Sequence, residues 1–471
     1  MNKTKIVATI GPATSSKEMI TSLILNGVDV IRVNMSHSSP DFCREIVDKL
    51  NDINKELNTH VALMMDIKGP LVRIGRILNN NAFLKKNDKI RIFMNDVIGD
   101  STKFSVDYPN LVNDVPLNSI LKINDGIIEL QVLDKGNDYL LCKVLKEGII
   151  SSNKSLNIPN VKLNRPYLSE EDKRVIKFAH EVKADYLALS YISDAEDVLK
   201  VNDLLINMGD DNIQIISKIE NNSAILDIDN IIKVSDGIII ARGDLGIEIA
   251  MEKIPGIQKK IISKCHEAGV VSVVATELLA TMASTTHPTR AEVSDIANAV
   301  LDGADAVMLC GETTVGKYPV ETLKMMERII KVAEEDINYN YFMEKAAKTE
   351  KKDTTGSIAY SVVGCANNLQ CKAIFAPTMS GYTAKKISRF RPKCPIIAVS
   401  PNLNTVKSLT LNFGVYPVLI DDLKSLDAII DKSKTIAQEI LSLEKNNKIV
   451  ITGGYPFKKV NHTNFMKIEE I

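Results

Sequence analysis

The sequence lacks several features that would assign a function class at once. It has no Trp and only 5% aromatic residues, and its 58 Lys and Arg residues are offset by 59 Asp and Glu. Sequence-independent binding to nucleic acid or to a membrane surface requires a clustered excess of basic residues. The formal net charge of −1 therefore argues against both classes of binder, although it is compatible with a local basic pocket.

Cysteine pairs and long apolar runs are also missing. The seven Cys residues are scattered and form no C-x-x-C pair, so neither a disulfide framework nor a zinc knuckle is indicated. The best apolar run, Gly269 to Met282, contains polar residues and falls short of the roughly 18 residues that span a bilayer. The N-terminal segment has no signal-peptide pattern. We therefore expect a cytoplasmic protein with reduced thiols and with no nucleic-acid or membrane partner.

Short apolar runs alternate with helix-length amphipathic segments along much of the chain. Eight runs have the composition of strands buried on both faces of a parallel sheet. They are residues 5–10, 28–33, 61–65, 186–189, 213–219, 237–241, 270–275 and 306–309. Eight βα units in about 240 residues match the number and size of a (β/α)₈ barrel.

Two regions interrupt or follow this alternation. Residues 71–166 are rich in strand and turn signals and predict an inserted β-rich lid. After residue 342, four further apolar runs alternate with helical segments, at 373–377, 395–399, 415–420 and 448–452. The predicted fold class is therefore α/β. A TIM barrel of residues 1–70 and 167–342 is interrupted by the lid and followed by a doubly wound α/β domain of residues 343–471.

The predicted strands lead into polar residues where a barrel would have its active site. Catalytic groups of such barrels lie at the C-terminal ends of the strands. Seven of the eight runs end in polar or charged side chains, namely Arg32/Asn34/Ser36, Asp66/Lys68, Ser190, Lys218/Glu220, Arg242/Asp244, Thr276 and Cys310/Glu312. A single polar strand end is common because strand ends meet solvent, but seven together predict one polar site.

Lys218 and Glu220, with Asp244 downstream, form the strongest local pattern. Residues two apart on an extended strand face the same way, so Lys218 and Glu220 can share one site. Glu220 and Asp244 offer two hard oxygen ligands, which suits Mg²⁺ or Mn²⁺. Lys218 beside such an ion would stabilise negative charge on a phosphoryl group or an enolate. The alternative interpretation is a Lys–Glu ion pair at the barrel rim.

Arg32, Asn34 and Ser36 also alternate along an extended segment and share one side. The planar guanidinium of Arg32 suits a phosphate or a carboxylate. Asn34, Ser36 and Asp66 offer oxygens of the kind that a monovalent cation takes.

Further basic residues stand where the chain enters the inserted domain. Lys68 and Arg73 extend the basic lining there, which suggests a lid whose closure adds phosphate contacts and excludes water. His37, His180, His266 and His287 have no ligand spacing, and we assign none of them a metal-binding or general-base role.

These segments resemble a known family. The stretches TKIVATIGPAT, DVIRVNMSH, MMDIKGPLVRIG, IISKIEN, SDGIIIARGDLGIEI, HPTRAEVSDIANAVLDGADAVMLCGET and SGYTAKKISRFRP are similar to the signature segments of pyruvate kinases, in the same order. The resemblance implies a homotetramer that converts phosphoenolpyruvate, ADP and H⁺ to pyruvate and ATP, the last step of glycolysis. It also implies Mg²⁺, and often K⁺, as cofactors.

The resemblance carries roles to individual residues. Arg32 would bind the phosphoryl group, and Lys218 would assist its transfer and stabilise the enolate. Thr276 would lie beside the substrate near the carbon that is protonated. The remaining assignments are Glu220 and Asp244 for Mg²⁺; Asn34, Ser36, Asp66 and Ile67 for K⁺; Ala241, Arg242, Gly243 and Asp244 for the substrate carboxylate; and Asn34, His37, Arg73 and Lys154 for the nucleotide.

Several positions depart from the family pattern. Ile67 replaces a usual Thr and Leu71 a usual Glu or Lys, which leaves K⁺ dependence open. The segment from Thr276 reads T-E-L-L-A-T instead of T-Q-M-L-E-S, so that Glu277 and Ala280 are unusual. Cys310 replaces a Ser, and Lys154 is followed by Ser instead of Gly.

The C-terminal domain contains a segment similar to the family's effector phosphate loop. Thr378, Ser380, Gly381, Tyr382 and Thr383 open a predicted helix after a predicted strand, a setting that binds phosphate. A phosphorylated effector is therefore expected there. The opposite wall, Gly-rich in the family, reads YPFKKVN at 455–461, so the identity of the effector does not transfer.

Two other functions are compatible with the pattern. One is a metal-dependent lyase acting on a pyruvate enolate on the same barrel, against which the inserted domain and Lys218 argue. The other is a catalytically altered paralogue that senses metabolites as an oligomer, suggested by the changed 276–281 segment and Cys310.

Overall fold

The chain begins with three parallel strands and the two helices between them. The computed structural model describes residues 1–350, 353–422, 425–456 and 462–471. The first elements are β1 (Lys5–Thr9), α1 (Lys17–Leu25), β2 (Val30–Asn34), α2 (Pro40–Leu57) and β3 (Ala62–Ile67). The strands are almost wholly buried because helices cover one face and the barrel interior the other.

After β3 the chain builds a small β domain. Its elements are β4 (Val72–Arg73), β5 (Ala82–Leu84), β6 (Lys89–Phe93), β7 (Lys103–Ser105), α3 (Leu111–Asp114), β8 (Ile120–Ile123), β9 (Ile128–Lys135), β10 (Tyr139–Lys146), β11 (Gly148–Ile150) and β12 (Ser155–Asn157), with a 3₁₀ turn at Leu78–Asn80. Seven strands form one sheet in the order β4-β12-β8-β9-β10-β6-β7, and β5 pairs with β11. Alternating apolar residues of β6, β9 and β10 form a core of its own.

The barrel then resumes. Its later elements are α4 (Glu170–Glu181), β13 (Tyr186–Leu189), α5 (Ala195–Asn207), β14 (Gln214–Ile219), α6 (Asn222–Leu226), α7 (Ile228–Val234), β15 (Gly237–Ala241), α8 (Arg242–Glu248), α9 (Ile254–Ala268), β16 (Val271–Ala275), α10 (Arg290–Leu301), β17 (Ala306–Leu309), α11 (Gly311–Thr314), α12 (Pro319–Glu335) and α13 (Tyr339–Thr349), with 3₁₀ turns at Met251–Lys253 and Ala280–Ala283. Parallel pairing closes eight strands in the order β1-β17-β16-β15-β14-β13-β3-β2. The predicted (β/α)₈ barrel is confirmed.

The last region is a five-stranded sheet with helices on both faces. It consists of α14 (Thr354–Asn368), β18 (Ala373–Pro377), α15 (Tyr382–Arg389), β19 (Ile396–Ser400), α16 (Leu403–Ser408), β20 (Val415–Leu419), α17 (Leu426–Glu439), β21 (Lys448–Gly453) and β22 (Phe465–Glu470). The order is β20-β19-β18-β21-β22, parallel except for β22. Separate apolar clusters on its two faces confirm the predicted doubly wound domain.

Two features of this region were not anticipated. The antiparallel strand β22 was not predicted, because its residues FMKIEE sit on a half-exposed sheet edge and have no continuous apolar run. The boundary expected after residue 342 falls inside α13, which contributes Phe342 to the barrel core and Ala346 to the C-terminal core.

The C-terminal domain covers the N-terminal end of the barrel. Leu411, which follows α16, is buried in the apolar cluster inside the barrel. Tyr186 at the start of β13 donates to the carbonyl of Lys407 at 3.2 Å. The buried guanidinium of Arg391 donates to Asp305 Oδ1 at 2.6 Å.

No helix in the described ranges combines the length and the apolarity needed to cross a membrane.

His266 in α9 is a buried titratable group in the contact between barrel and C-terminal domain. Its Nε2 pairs with the carbonyl of Arg389 at 3.0 Å, its ring packs edge-on against Phe342, and Nδ1 has no partner among the described residues. Burial, with Arg391 and Lys345 nearby, lowers the pKa of His266 from 6.5 to about 3. Below pH 6.5 the unfolded chain therefore binds a proton that the folded chain does not.

We expect the neutral, buried His266 to lower the free energy of unfolding as pH falls from 6.5 towards 3. At pH 5 the loss is about 2 kcal/mol. His266→Gln keeps a donor for the Arg389 carbonyl but does not titrate, so its stability should fall less between pH 7 and pH 5. Urea unfolding at both pH values measures the difference. The exposed His287→Gln serves as control, and equal pH dependence in all three proteins would contradict the assignment.

Candidate active site

A cleft of about 390 Å³ lies between the C-terminal ends of the barrel strands and the β domain. Most of the residues predicted for the site line it. They are Arg32, Asn34, Ser36, His37, Lys68, Arg73, Lys154, Ser190, Lys218, Glu220, Ala241, Asp244, Thr276 and Cys310. The tertiary structure thus brings together side chains from barrel strands and from the inserted domain.

Asp66 at the end of β3 is the centre of a buried network of charges. Arg32 donates to Asp66 Oδ2 through Nε at 2.9 Å and Nη2 at 2.6 Å. Ser190 donates to Asp66 Oδ1 at 2.9 Å. Lys218 Nζ donates to Ser190 Oγ at 2.8 Å and lies 3.3 Å from Asp66 Oδ2. The same ammonium is 2.8 Å from Glu220 Oε1.

The network keeps both cations charged. Burial alone would raise the pKa of Asp66, but Lys218 and Arg32 outweigh it and lower that pKa. Burial alone would lower the pKa of Lys218, but Asp66 and Glu220 raise it instead. Lys218 is therefore an ammonium in a nearly dry site, its side chain only 12% exposed.

Glu220 and Asp244 form the second acidic group of the cleft. Burial raises the pKa of Glu220, as does the neighbouring charge of Asp244, while Lys218 opposes the rise. Glu220 Oε2 accepts the N–H of Tyr191 at 2.6 Å, and Asp244 Oδ1 accepts its hydroxyl at 2.7 Å. Glu220 Oε1 is buried and lies 2.8 Å from the Lys218 ammonium. Two neighbouring carboxylates at the cleft are the hard oxygen donors that a divalent ion such as Mg²⁺ takes.

The start of α8 meets the end of β16. Gly243 N–H donates to Thr276 Oγ1 at 2.8 Å, and Thr276 Oγ1 donates to the Ala275 carbonyl at 2.6 Å. Arg242 points away from the cleft and holds both oxygens of Asp295, at 2.7 and 2.6 Å. Of the residues predicted to bind the substrate carboxylate, Arg242 and Gly243 can therefore reach it only through their backbone.

Thr276 and the following Glu277 both adopt left-handed backbone conformations, with φ of 69° and 54°. Residues with a Cβ rarely take this conformation, and such strain is concentrated at functional sites.

Of the four residues predicted for K⁺, Asn34 and Asp66 have side-chain oxygens that are already engaged. Asn34 Oδ1 accepts the N–H of Ser36 at 3.0 Å. Both oxygens of Asp66 belong to the charge network. Ile67 is buried and can offer only its carbonyl.

Two of the four residues predicted for the nucleotide, Asn34 and His37, border a second cavity. His37, Asn34 and Arg32 line both the cleft and this neighbouring cavity of about 630 Å³. Its other walls include Pro12, Phe42 and Val315. Across the cleft, Arg73 donates to the carbonyl of Asn153 at 2.8 Å, while Lys154 is exposed on the cleft wall. Burial lowers the pKa of His37, and the positive charges of Arg73 and Arg32 lower it further.

The segment expected to bind an effector phosphate forms the loop between β18 and α15. Gly381 precedes the helix with φ of 80°, and its N–H donates to Thr378 Oγ1 at 2.9 Å. Thr383 pairs with Thr463 through their hydroxyl groups at 2.8 Å. Ser380 lies between Thr378 and Gly381 in this loop, and Tyr382 is the first residue of α15. Residues 457–461 of the opposite wall fall outside the described residues.

Sequence reasoning missed three residues of the site. Tyr191 contacts both acidic residues, Thr9 accepts from Arg32 Nη1 at 2.9 Å, and Asp295 holds Arg242. Tyr191 and Thr9 stand at strand ends, so the rule that singled out the other residues could have found them. Asp295 lies inside α10, and nothing in the sequence pattern marks it.

Comparisons with known proteins identify the family. Residues 1–323 match the family described as "Pyruvate kinase, barrel domain", and residues 356–469 match "Pyruvate kinase, alpha/beta domain". The chain belongs to the pyruvate kinase family. The predicted family is confirmed, and with it the predicted enzyme class, an ATP-forming phosphotransferase.

Full-length relatives agree with this assignment. Pyruvate kinase of Clostridium perfringens is 37% identical over all of both chains. Pyruvate kinase of Staphylococcus saprophyticus is 40% identical over 99% of this chain and 80% of its own length. A crystal structure of a pyruvate kinase from Cryptosporidium parvum superposes with a TM-score of 0.94 and 33% identity, over 100% of this chain and 96% of the other.

Removing the charge of Asp66 should destabilise the protein strongly. Asp66→Asn leaves Arg32 and Lys218 buried without their shared counter-ion, and breaking such a pair costs about 3–5 kcal/mol. The free energy of unfolding in urea measures the loss. Asp96→Asn is the matched control, because its pair with Arg76 is exposed and is worth at most about 1 kcal/mol. Equal losses in the two variants would contradict the central role of Asp66.

Proposed function

We propose that this cleft transfers the phosphoryl group of phosphoenolpyruvate to ADP, giving pyruvate and ATP in the last step of glycolysis. The observation that carries the proposal is the buried, charged Lys218, held between Asp66 and Glu220 and exposed only towards the cleft. A fixed ammonium in a dry site stabilises negative charge far better than one in water.

The phosphoryl end of the substrate is assigned to Arg32 and Lys218. The Arg32 guanidinium faces the cleft beside Cys310, with Nη1 4.0 Å from Sγ. When the phosphorus–oxygen bond of phosphoenolpyruvate breaks, the phosphoryl group passes to the terminal oxygen of ADP and an enolate remains. Lys218 would stabilise the transferring group and then the enolate oxygen.

The carboxylate end is assigned to the backbone from Ala241 to Asp244. Binding there would replace Thr276 Oγ1 as the acceptor of the Gly243 N–H, which frees the Thr276 hydroxyl beside the enolate. The methylene carbon must take up one proton to give pyruvate, and this step is assigned to the side of the cleft lined by Thr276, beside Gly243.

Glu220 and Asp244 are the residues that would hold Mg²⁺ or Mn²⁺. No group of three or more His, Cys, Asp or Glu side chains suited to a metal occurs in the described part of the chain. Two carboxylates leave the rest of the shell to water and substrate oxygens, as Mg²⁺ prefers. When bound, the ion would neutralise charge on the phosphoryl oxygens.

The K⁺ assignment to Asn34, Ser36, Asp66 and Ile67 receives less support. The side-chain oxygens of Asn34 and Asp66 already accept hydrogen bonds, and Asp66 also pairs with Arg32 and Lys218. K⁺ is therefore given no part in the proposed reaction.

ADP is assigned to the cavity next to Arg32. Its apolar walls at Pro12, Phe42 and Val315 suit a nucleoside, and His37 stands where the cavity joins the cleft. Arg73 and Lys154 would contact the phosphates from the lid.

We also propose a cytoplasmic homotetramer with a phosphorylated effector at residues 378–383. The strand–loop–helix setting supports the effector site. The oligomeric state rests on the family alone.

A coupled assay tests the function. The purified protein is mixed with phosphoenolpyruvate, ADP and Mg²⁺, with and without K⁺, and pyruvate is followed by its reduction to lactate. Pyruvate should form. Its absence under both conditions would overturn the proposal in favour of a catalytically altered paralogue.

Lys218→Met should lower kcat by several orders of magnitude without unfolding the protein. It removes the charge that stabilises the transition state but retains an apolar side chain of similar length. Turnover and circular dichroism are the measurements. Lys407→Met is the matched control, since Lys407 is similarly buried and pairs with Asp185 at the other end of the barrel. Turnover in Lys218→Met equal to the control would contradict the role of Lys218.

A further inference from the structure

Tyr191 contacts both of the acidic residues assigned to the divalent ion. It lies two residues beyond the end of β13, at the rim of the cleft. Its backbone N–H donates to Glu220 Oε2 at 2.6 Å, and its side-chain hydroxyl donates to Asp244 Oδ1 at 2.7 Å. Glu220 follows β14 and Asp244 lies in α8, so one residue connects two separate elements.

The backbone of Tyr191 is held in an unfavourable conformation. Its φ of 55° lies in the left-handed region, which a residue with a Cβ adopts only when its surroundings over-determine it. Both hydrogen bonds depend on this turn, because it lets the N–H and the side chain reach the same pair of carboxylates. The strained backbone of Tyr191 therefore accompanies the hydrogen bonds that orient Glu220 and Asp244.

The hydrogen bonds hold each carboxylate by one oxygen. Tyr191 occupies Glu220 Oε2 and Asp244 Oδ1. The other oxygen of Glu220, Oε1, is buried and lies 2.8 Å from the Lys218 ammonium. Tyr191 therefore restrains both acidic side chains, while Lys218 contacts the remaining oxygen of Glu220.

We propose that Tyr191 is a positioning residue for the divalent cation, fixing Glu220 and Asp244 before the ion binds. The inference rests on the proposed function, in that it takes these two carboxylates as the ligands. Hydrogen-bond donors behind metal ligands restrict their orientation, and their removal typically weakens metal binding by 10–100-fold. The alternative is a purely packing role, because the ring also lines a cavity of about 130 Å³ with Asn157 and Glu248.

Direct binding of Mn²⁺ to the full-length protein without substrates tests the inference. Free Mn²⁺ is measured by electron paramagnetic resonance for wild type and Tyr191→Phe, which keeps the ring and the backbone and removes only the hydroxyl. The dissociation constant should rise about tenfold. In the coupled assay, the KM for Mg²⁺ should rise by a similar factor while kcat at saturating Mg²⁺ changes less.

Tyr186→Phe is the matched control. Tyr186 begins the same strand, and its buried hydroxyl bonds Lys407 and Thr410 at the far end of the barrel. This variant should bind Mn²⁺ like the wild type. A second measurement uses Asp244→Ala, in which the further change Tyr191→Phe should lower Mn²⁺ affinity much less, because the side chain that accepts the Tyr191 hydroxyl is already lost.

The outcomes separate the two proposals. Unchanged Mn²⁺ affinity in Tyr191→Phe, or an equal loss in Tyr186→Phe, would overturn the positioning role. Absence of Mn²⁺ binding to the wild type would overturn it as well. Normal Mn²⁺ binding that weakens in Tyr191→Phe, in a protein that forms no pyruvate, would support the positioning role and overturn the proposed function alone.

Discussion

The carboxylate of Asp66 pairs with two buried cations at once, and the arrangement of the cleft depends on this pairing. Arg32 donates two hydrogen bonds to it, and Lys218 approaches the same oxygen. Without a counter-ion, burial would drive a lysine to its neutral form. Asp66 and Glu220 keep Lys218 charged, so a cation can stand in a site from which water is largely excluded. The overall charge of −1 gives no sign of this local concentration of charge.

The contacts that join the domains and the residues of the cleft lie at opposite ends of the barrel. At the N-terminal end, Leu411 and the contacts of Tyr186 and Arg391 join the C-terminal domain to the barrel. At the other end, the strands direct charged side chains towards the cleft, beyond the apolar interior of the barrel. The same division is seen along β13 and the residues that follow it. The Tyr186 hydroxyl at the start of β13 bonds the C-terminal domain, and the Tyr191 hydroxyl beyond its end bonds Asp244.

Much of the fold followed from local pattern. The eight barrel strands were predicted because each is a short apolar run covered on both sides, and a helical segment of ordinary length follows most of them. The edge strand β22 escaped because half-exposed, charged residues carry no such signal. The sequence predicts a domain start at residue 343, whereas α13 continues across it and packs Phe342 into the barrel core and Ala346 into the C-terminal core.

Residue types and spacing along single strands were enough to select Arg32, Lys218, Glu220, Asp244 and Thr276 as candidates. These choices were determined by the sequence, because alternation along a strand places residues two apart on one side. Only the tertiary structure decided how they are used: that Arg242 turns to Asp295, that Asp66 is shared by two cations, and that Tyr191 holds both acidic residues. The hydrogen bonds of Tyr191 and Arg242 join positions 29 to 53 residues apart, and only the packing of successive barrel units brings them within hydrogen-bonding distance. The periodicity of the sequence shows which residues of one strand or helix share a face. Which residue lies opposite across the cleft depends on how all eight strands close the barrel.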